Sequence, residues 1–226
     1  MTAAGIAVVV PMKPLSSAKS RLSPALSADE RSTLSLGMLR RVLLAAGPPA
    51  ERVWVVGGDD LVREVATSLG AAWTADQGAE LNAALEVAFA RAAREKLCAM
   101  YLPADLPLVD ADDVRGMIDA SRGGQALTLA PASRDGGTNG IIVPLGSRFR
   151  PALGQDSFER HRDLASRDGV EPVIFTSDGL GLDLDVPADL EALERVRPGH
   201  LRELLARPGE NPTVGTAADL KEPAQP

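Results

Sequence analysis

The chain has 226 residues, 45% of them hydrophobic and 24% charged, which is the composition of a soluble globular protein with a core of its own. Its 24 basic and 31 acidic residues give a net charge of −7, and only 3% of the residues are aromatic, which argues against a sequence-independent nucleic-acid binder. One cysteine and two histidines exclude a disulfide framework and a cysteine-based zinc site.

The chain has no apolar run near the roughly 20 residues that span a bilayer, and its apolar N-terminus lacks the basic flank of a signal peptide. We therefore expect a cytoplasmic protein with no membrane or nucleic-acid partner. The length fits one large domain, which we predict to cover residues 1–206. Residues 207–226 carry Pro, Gly and small polar residues without an apolar period, which predicts a disordered tail.

Apolar runs and helical periods alternate along the chain. The predicted strands are Ile6–Val10, Val53–Val56, Ala71–Thr74, Cys98–Leu102, Ala126–Ala130, Thr138–Val143, Pro172–Phe175 and Leu182–Leu184. The predicted helices begin after a capping box of Ser27 and Glu30, at Asp60, near Leu81, at Asp112, at Ser157 and at Ala188. This alternation predicts an α/β fold, a mostly parallel mixed sheet with helices on both faces.

Ligands of open α/β sheets bind at the carboxyl ends of the strands, and the first polar cluster follows the first strand. Lys13, Lys19 and Arg21 place three cations within nine residues, enough to surround a polyphosphate. The alternative is a solvated basic loop. The loop lacks the glycines and the G-K-[ST] ending of a P-loop, and the chain has no G-x-G-x-x-G.

Acidic residues follow two other predicted strands. Asp105 lies between Pro103 and Pro107, which restrict the backbone on both sides, although a turn cap would look the same. Asp183 and Asp185 would share one face of a strand, and two such carboxylates repel each other unless a cation lies nearby. Together the three predict an oxygen-rich Mg²⁺ site. Helix capping by Asp185 is the alternative, and Asp189 is expected in the first turn of the next helix.

The last cluster combines glycines with hydroxyl groups. Thr138 follows a Gly-rich turn, and Gly154 precedes Ser157 at the start of a helix. Backbone N–H groups and a helix N-terminus suit a small phosphorylated acid, although a hairpin turn and an ordinary cap would give the same pattern. His161 lies one turn after Ser157, where a histidine is more often structural. His200, in a polar C-terminal helix, gives no functional signal.

Six motifs in this order are similar to those of the guanylyltransferases of coenzyme F420 biosynthesis. They span about Ile6 to Val196 and are V-P-M-K-P-L-S-S-A-K-S-R-L-S (Val10–Ser23), E-L-N-A-A-L (Glu80–Leu85), L-P-A-D-L-P (Leu102–Pro107), D-G-G-T-N (Asp135–Asn139), G-Q-D-S-F-E-R-H (Gly154–His161) and D-L-D-V-P-A-D-L (Asp183–Leu190). The first and fifth are specific to this family. The third is shared more widely among nucleotidyltransferases of the same fold.

The resemblance implies a single-domain nucleotide-diphospho-sugar-transferase-like fold (GT-A/Rossmann-like) and Mg²⁺-dependent transfer of GMP from GTP to phosphoenolpyruvate. It also implies the positions that bind each group. Phosphoenolpyruvate would be bound by Thr138, Gly154 and Ser157, the metal by Asp105, Asp183 and Asp185, and the nucleotide by Pro11, Lys13, Lys19, Arg21, Leu81, Asn82 and Pro103, with Lys13, Lys19, Arg21 and Asp105 catalytic. A transient contact with the next enzyme of the pathway is a further expectation.

The first loop departs from many nucleotidyltransferases of this fold, which have a glycine-rich L-x-G-G-x-x-x-R loop where this chain has Pro11-Met12-Lys13-Pro14. Phosphate binding must therefore depend more on side-chain cations. 2-Phospho-L-lactate and 3-phospho-D-glycerate remain alternative acceptors. Transfer to a sugar phosphate or to molybdopterin, and a non-catalytic nucleotide sensor, are the alternative functions.

Overall fold

The fold is built on one seven-stranded sheet in a computed structural model that describes residues 4–76 and 80–206. The strands are β1 (Ile6–Met12), β2 (Arg52–Gly57), β3 (Ala72–Thr74), β4 (Cys98–Tyr101), β5 (Thr128–Pro131), β6 (Thr138–Val143) and β7 (Val173–Ile174). Their order across the sheet is β3-β2-β1-β4-β6-β5-β7. The mixed, mostly parallel sheet predicted from the sequence is confirmed.

Strand β6 is the antiparallel member of the described sheet. It runs against both β4 and β5, whereas the pairs β1–β2, β1–β4, β2–β3 and β5–β7 are parallel. Tyr101 at the end of β4 pairs with Ile141. Because β6 runs in reverse, its first residues Thr138 and Asn139 lie beyond the carboxyl end of β4. The reversal brings them to the edge where the other strands end.

Helices cover both faces of the sheet. They are α1 (Ala28–Ala46), α2 (Asp60–Ser68), α3 (Leu81–Arg94), α4 (Ala111–Ala120), α5 (Ser157–Arg167), α6 (Asp178–Gly181), α7 (Pro187–Val196) and α8 (His200–Leu205), with two 3-10 turns at Leu15–Ser17 and Ser20–Leu22. Helix α1 begins as predicted, because the Ser27 hydroxyl accepts from the Glu30 N–H at 3.3 Å and the Glu30 carboxylate accepts from the Ser27 N–H at 2.8 Å.

The core explains why β1 is a continuous apolar run. Val8 and Val10 pack with residues of α1, α2 and α4, whereas Ala7 and Val9 pack with residues of α3 and α5 on the other face. A strand covered on both sides has no polar face to alternate with. A third apolar cluster joins α1, α7 and α8 with Leu184, which is fully buried.

The predicted strand Leu182–Leu184 is wrong. The short helix α6 ends at Gly181, and the extended segment that follows joins no strand of the sheet. The Leu184 N–H instead donates to the Asp105 carbonyl at 3.2 Å. The apolar alternation that suggested a strand reflects the burial of Leu184 in the third cluster.

Within residues 4–76 and 80–206, no helix combines the length and the apolar character needed to cross a bilayer. The predicted disordered tail, 207–226, lies outside the described residues.

Candidate active site

A cleft of about 640 Å³ opens at the carboxyl ends of β1, β2 and β4. The sequence analysis predicted eight of the residues that line it, which are Pro11, Lys13, Lys19, Arg21, Leu81, Pro103, Asp105 and Asp185. They come from four separate parts of the chain. The sheet brings them together because the loops that follow parallel strands share one edge.

Lys19 lies at the centre of this cleft. Its ammonium group donates to Asp105 Oδ2 at 2.6 Å and to Asp185 Oδ1 at 2.9 Å, and its side chain is 9% exposed. The backbone of Lys19 has a φ of 51°, a left-handed conformation that costs a non-glycine residue energy and is frequent at functional sites. The turn between the two 3-10 segments thus holds a buried cation against two carboxylates.

Asp105, Asp183 and Asp185 form one carboxylate cluster. One oxygen from each lies within 4.8 Å of the others. The Asp105 loop and the segment after α6 are joined by the hydrogen bond from the Leu184 N–H to the Asp105 carbonyl. Asn139, at the start of β6, donates from its amide to Asp183 Oδ1 at 3.3 Å and to the Leu180 carbonyl at 2.9 Å. These three segments therefore meet at the cluster, and the turn that carries Lys19 joins them as the fourth.

The charges of the cluster are only partly balanced. Burial, and next the charge of Asp105, raise the pKa of Asp183 to about 6. Burial alone would raise the pKa of Asp185, but the adjacent Lys19 outweighs burial and holds it below its usual value. Burial likewise opposes the charge of Lys19, yet Asp105 and Asp185 outweigh it and raise the pKa of the ammonium group. Lys19 therefore stabilises Asp185 as an anion and leaves Asp183 with an unfavourable charge.

This donor set fits a hard divalent cation. Three carboxylates within reach of one ion are the oxygen ligands that such ions prefer, and the raised pKa of Asp183 marks negative charge that a cation would neutralise. Capping does not account for Asp185. The carboxylate of Asp189 instead accepts from the N–H groups of Asp185 and Val186 at 2.7 and 2.8 Å, as expected for a residue in the first turn of α7.

Lys13 and Arg21 lie at the rim of the cleft. Both are exposed, and Arg21 is 3.9 Å from Asp185 with 74% of its side chain accessible. Exposed cations at the mouth of a cleft attract anions before they bind. The three predicted basic residues thus divide into one buried cation and two at the surface.

Asn82 lies at the start of α3, and its amide already has partners. It donates to the Leu153 carbonyl at 3.2 Å and accepts from the Leu153 N–H at 2.8 Å. Asn82 therefore ties α3 to the loop that carries Gly154. Its predicted contact with the nucleotide base stays a prediction.

Thr138 and Ser157 meet at a buried site beside the same loop. The Ser157 hydroxyl donates to Thr138 Oγ1 at 3.2 Å, and His161 Nδ1 lies 2.9 Å from that same oxygen. His161 is fully buried on α5. Gly154 is exposed in the adjacent loop with a φ of 135°, a conformation open to glycine. Of the predicted acceptor residues, Thr138 and Ser157 are thus in contact, and Gly154 lies in the loop that precedes Ser157.

The sequence analysis missed three residues near the site. Tyr101 lines the cleft at the end of β4, and burial with the three nearby carboxylates raises the pKa of its hydroxyl well above the usual value. Asn139 contacts Asp183 as described above, and its place in the D-G-G-T-N motif is the signal that could have identified it. His200, which gave no functional signal in the sequence, is buried, and its Nε2 lies 2.7 Å from the carbonyl of Pro107.

Comparison with known proteins agrees with this geometry. The family model described as guanylyl transferase CofC like matches residues 6–197. The chain is 39% identical over 188 residues to a phosphoenolpyruvate guanylyltransferase of Rubrobacter xylanophilus, covering 82% of this chain and 92% of the relative. It is 39% identical over 185 residues to a 3-phospho-D-glycerate guanylyltransferase of Phenylobacterium zucineum, covering 79% and 84%. A 2-phospho-L-lactate guanylyltransferase of Methanothermobacter thermautotrophicus is 36% identical over 203 residues, covering 88% and 89%.

Solved structures agree on the fold. A protein of Desulfovibrio desulfuricans G20 assigned as a nucleotide-diphospho-sugar transferase superposes with a TM-score of 0.70 at 19% identity, covering 88% of this chain and 96% of that one. A nucleotidyl transferase from Methanothermobacter thermautotrophicus superposes with a TM-score of 0.60 at 17% identity, covering 88% and 99%. The nucleotide-diphospho-sugar-transferase-like fold is thereby confirmed. With a family model matched over most of its length, the chain belongs to the CofC-like guanylyl transferase family.

Proposed function

We propose that this protein transfers GMP from GTP to phosphoenolpyruvate, giving enolpyruvoyl-2-diphospho-5'-guanosine and pyrophosphate, as a cytoplasmic step of coenzyme F420 biosynthesis. The names of the most similar relatives support the choice of nucleotide and acceptor. We further propose that residues 1–206 act as one catalytic domain. The observation that carries the proposal is the buried Lys19 between Asp105 and Asp185, inside a cleft at the carboxyl ends of the strands.

The chemistry requires one displacement at phosphorus. An oxygen of the acceptor phosphate attacks the α-phosphorus of GTP, a new P–O bond forms, and the bond to the β-phosphate oxygen breaks to release pyrophosphate. The acceptor is already an anion, so no general base is needed. The barrier is mainly the repulsion between two polyanions, which a site lowers by positioning them and by opposing their charge.

Cations on both sides of the reacting phosphates would oppose the negative charge of the two substrates. Asp105, Asp183 and Asp185 would hold Mg²⁺, which when bound would neutralise charge on the two phosphates. Lys19, held between Asp105 and Asp185, would oppose the negative charge of the phosphates. Lys13 and Arg21, at the rim, would attract GTP and stabilise the charge that develops on pyrophosphate.

The nucleotide would lie along the apolar part of the cleft. Pro11, Leu81 and Pro103 line this part and would contact the base and ribose without competing for hydrogen bonds. Asn82 would act there through the amide group that now pairs with Leu153.

The acceptor would bind where β6, α5 and the Gly154 loop meet. Thr138 and Ser157 offer hydroxyl groups, and the start of α5 offers backbone N–H groups and the positive end of a helix dipole. These are donors suited to a carboxylate or phosphate. The support is the contact between Thr138 and Ser157, together with the position of Thr138 next to Asn139, which contacts the carboxylate cluster.

Two other acceptors remain second candidates, because enzymes named for them have a similar sequence identity to this chain. The 3-phospho-D-glycerate and 2-phospho-L-lactate enzymes differ from this chain about as much as the phosphoenolpyruvate enzymes do. Phosphoenolpyruvate and 2-phospho-L-lactate differ by a double bond, whereas 3-phospho-D-glycerate carries its phosphate on C3 and a hydroxyl on C2, so the test compares the three acids directly. Pyrophosphate release is measured with GTP, Mg²⁺ and each acid in turn.

We expect release with phosphoenolpyruvate at a kcat/KM at least about tenfold above that for the other two acids, a difference of about 1.4 kcal/mol in transition-state binding. A preference for another acid would change the proposed acceptor and leave the proposed guanylyl transfer in place. GTP binding without release for any acid would favour a nucleotide sensor, and release with sugar phosphates or molybdopterin would favour another nucleotidyltransferase.

The Asp105→Asn variant tests the role of the carboxylate cluster. Turnover should fall by about a hundredfold or more while the protein stays folded, because the substitution removes one anionic ligand and keeps the side-chain volume. Near-normal turnover of this variant would reject the assignment of Asp105.

A further inference from the structure

His161 is a buried titratable residue that the proposed reaction does not use. It lies on α5, fully buried, and its ring centroid is 5.7 Å from that of Phe149. Both ring nitrogens have partners. Nε2 accepts from the Ala152 N–H at 2.8 Å, and Nδ1 lies 2.9 Å from Thr138 Oγ1. The imidazole therefore bridges the loop before α5 and the first residue of β6.

These contacts fix the tautomer of the ring. An N–H from Ala152 can only be accepted by an unprotonated Nε2, so the ring proton of neutral His161 is on Nδ1. Burial, and then the nearby Arg160, lower the pKa of His161 to about 4, so the ring is neutral near pH 7. His161 Nδ1–H is consequently a donor toward Thr138.

The tautomer of His161 determines which hydrogen-bonding group of the Thr138 hydroxyl remains for a ligand. A hydroxyl group has one proton and two lone pairs. Thr138 Oγ1 accepts from His161 Nδ1–H and from the Ser157 hydroxyl, which uses both lone pairs. The proton of Thr138 is then the group that remains for a ligand. An oriented O–H donor suits an anionic oxygen of the acceptor.

We propose that His161 is a positioning residue for the phosphoacid acceptor, because it turns the Thr138 hydroxyl into a directed donor. This inference rests on the proposed function, in which Thr138 contacts the acceptor. The loop before α5 is also held from α3, where Asn82 pairs with Leu153, and from α5, where Arg160 donates to the carbonyl groups of Ala152 and Gln155.

Two amide variants separate the two halves of the bridge. The amide of His161→Asn overlays Nδ1 and keeps a donor for Thr138, whereas that of His161→Gln overlays Nε2 and keeps an acceptor for Ala152. We expect His161→Gln to raise the KM for the acceptor about tenfold, the scale of one lost hydrogen bond to an anion site, with the KM for GTP little changed. His161→Asn should stay within about threefold of wild type for both.

A double-mutant cycle shows whether the effect passes through the Thr138 hydroxyl. In a Thr138→Val background, His161→Gln should cause no further rise in the acceptor KM. If His161 were merely structural, the effects of His161→Gln and Thr138→Val on the acceptor KM would be additive. The Asn and Gln variants would also raise that KM equally. Either result would overturn the proposal. Arg162→Gln, on the exposed side of α5, is the control for substitution in this helix.

The tautomer has a readout that does not depend on activity. Imidazole ¹⁵N shifts of the wild-type protein should show Nδ1 protonated and Nε2 unprotonated at about pH 7. The opposite tautomer would overturn the proposal whatever the acceptor. If the wild type released no pyrophosphate with any acid, the proposed function would fail, and the ¹⁵N shifts would still decide the His161 assignment.

Discussion

Lys19 is the residue on which the charge balance of the cleft depends. It neutralises Asp105 and Asp185 from a side chain that is 9% exposed, and breaking such a pair leaves a carboxylate without its counter-ion. We predict that Lys19→Met lowers the free energy of unfolding by roughly 3 kcal/mol at about pH 7.5, measured by urea titration, and lowers turnover by about a hundredfold or more. The methionine removes the charge and keeps an unbranched side chain that is one heavy atom shorter.

Arg21→Met provides the comparison for stability, because Arg21 is 3.9 Å from Asp185 and mostly exposed. It should change the unfolding free energy by less than about 0.5 kcal/mol. Divalent cation should restore the stability of Lys19→Met without restoring turnover. Equal stability of the two variants would contradict the central role of Lys19.

The raised pKa of Asp183 indicates that its negative charge lowers the stability of the folded protein, although the proposed metal site requires that charge. Its pKa is raised in the folded protein to about 6, above its ordinary value of 3.8, so the ionised side chain costs stability. That cost is absent below the unfolded pKa, grows as pH rises between the two values and is complete above about 6. We therefore expect Asp183→Asn to raise the unfolding free energy of the metal-free protein by roughly 1–3 kcal/mol at about pH 7.5.

The same substitution should lower turnover by about a hundredfold, because it removes a predicted ligand. The carboxamide oxygen introduced by Asp183→Asn can still accept from the Asn139 amide, so the local hydrogen bond survives. The stability gain should vanish near pH 4, where the wild-type Asp183 is protonated in the folded state. Thermal melts at the two pH values check this, and a gain that is the same at both would refute it.

At the scale of elements, the close approach of α8 to α1 depends on Gly37. A Cβ at this position would overlap the backbone carbonyl of Leu204, which cannot move aside as a flexible side chain can. We predict that Gly37→Ala destabilises the protein by roughly 1–3 kcal/mol in urea titrations. Gly47→Ala is the control, since its φ is −55° and its nearest contact would be at 3.3 Å. Equal effects of both variants would argue against the contact.

Local signals made most of the elements predictable. The Ser27–Glu30 capping box fixed the start of α1, and the continuous run of β1 followed from burial on both faces. Gly70, just after the end of α2, has a positive φ of 81°, the conformation in which glycine commonly ends a helix. The prediction of a strand at Leu182–Leu184 was wrong because two leucines at alternate positions are as compatible with burial against helices as with a strand.

The candidate site was predictable where it follows strand ends. Lys19 and Asp105 follow β1 and β4, so topology brings them to one edge, whereas Asp185 follows no strand and was found from a recognised motif. The contacts of His161 and His200 were not predictable. Each joins residues far apart in sequence, 93 positions in the case of His200 and Pro107, and composition and periodicity carry no information on such pairs.

At the scale of the whole molecule, the net charge opposes the proposed substrates. A chain of charge −7 repels GTP at long range, whereas the exposed Lys13 and Arg21 attract it at the rim of the cleft. Local attraction dominates at distances shorter than the Debye length of about 10 Å at 0.1 M salt. We predict that kcat/KM for GTP falls about tenfold as KCl rises from about 50 to about 500 mM.

Removing Lys13 and Arg21 from the rim should abolish or reverse the fall of kcat/KM for GTP with added salt. A Lys13→Gln/Arg21→Gln variant loses both exposed cations of the rim while the net repulsion grows, so kcat/KM at low salt should fall, and added salt should leave it flat or raise it. The control variant Arg115→Gln/Arg162→Gln makes the same change in net charge at exposed positions outside the cleft. It should keep the wild-type salt dependence. If the two double variants behaved alike, net charge rather than the rim of the cleft would govern the encounter with GTP.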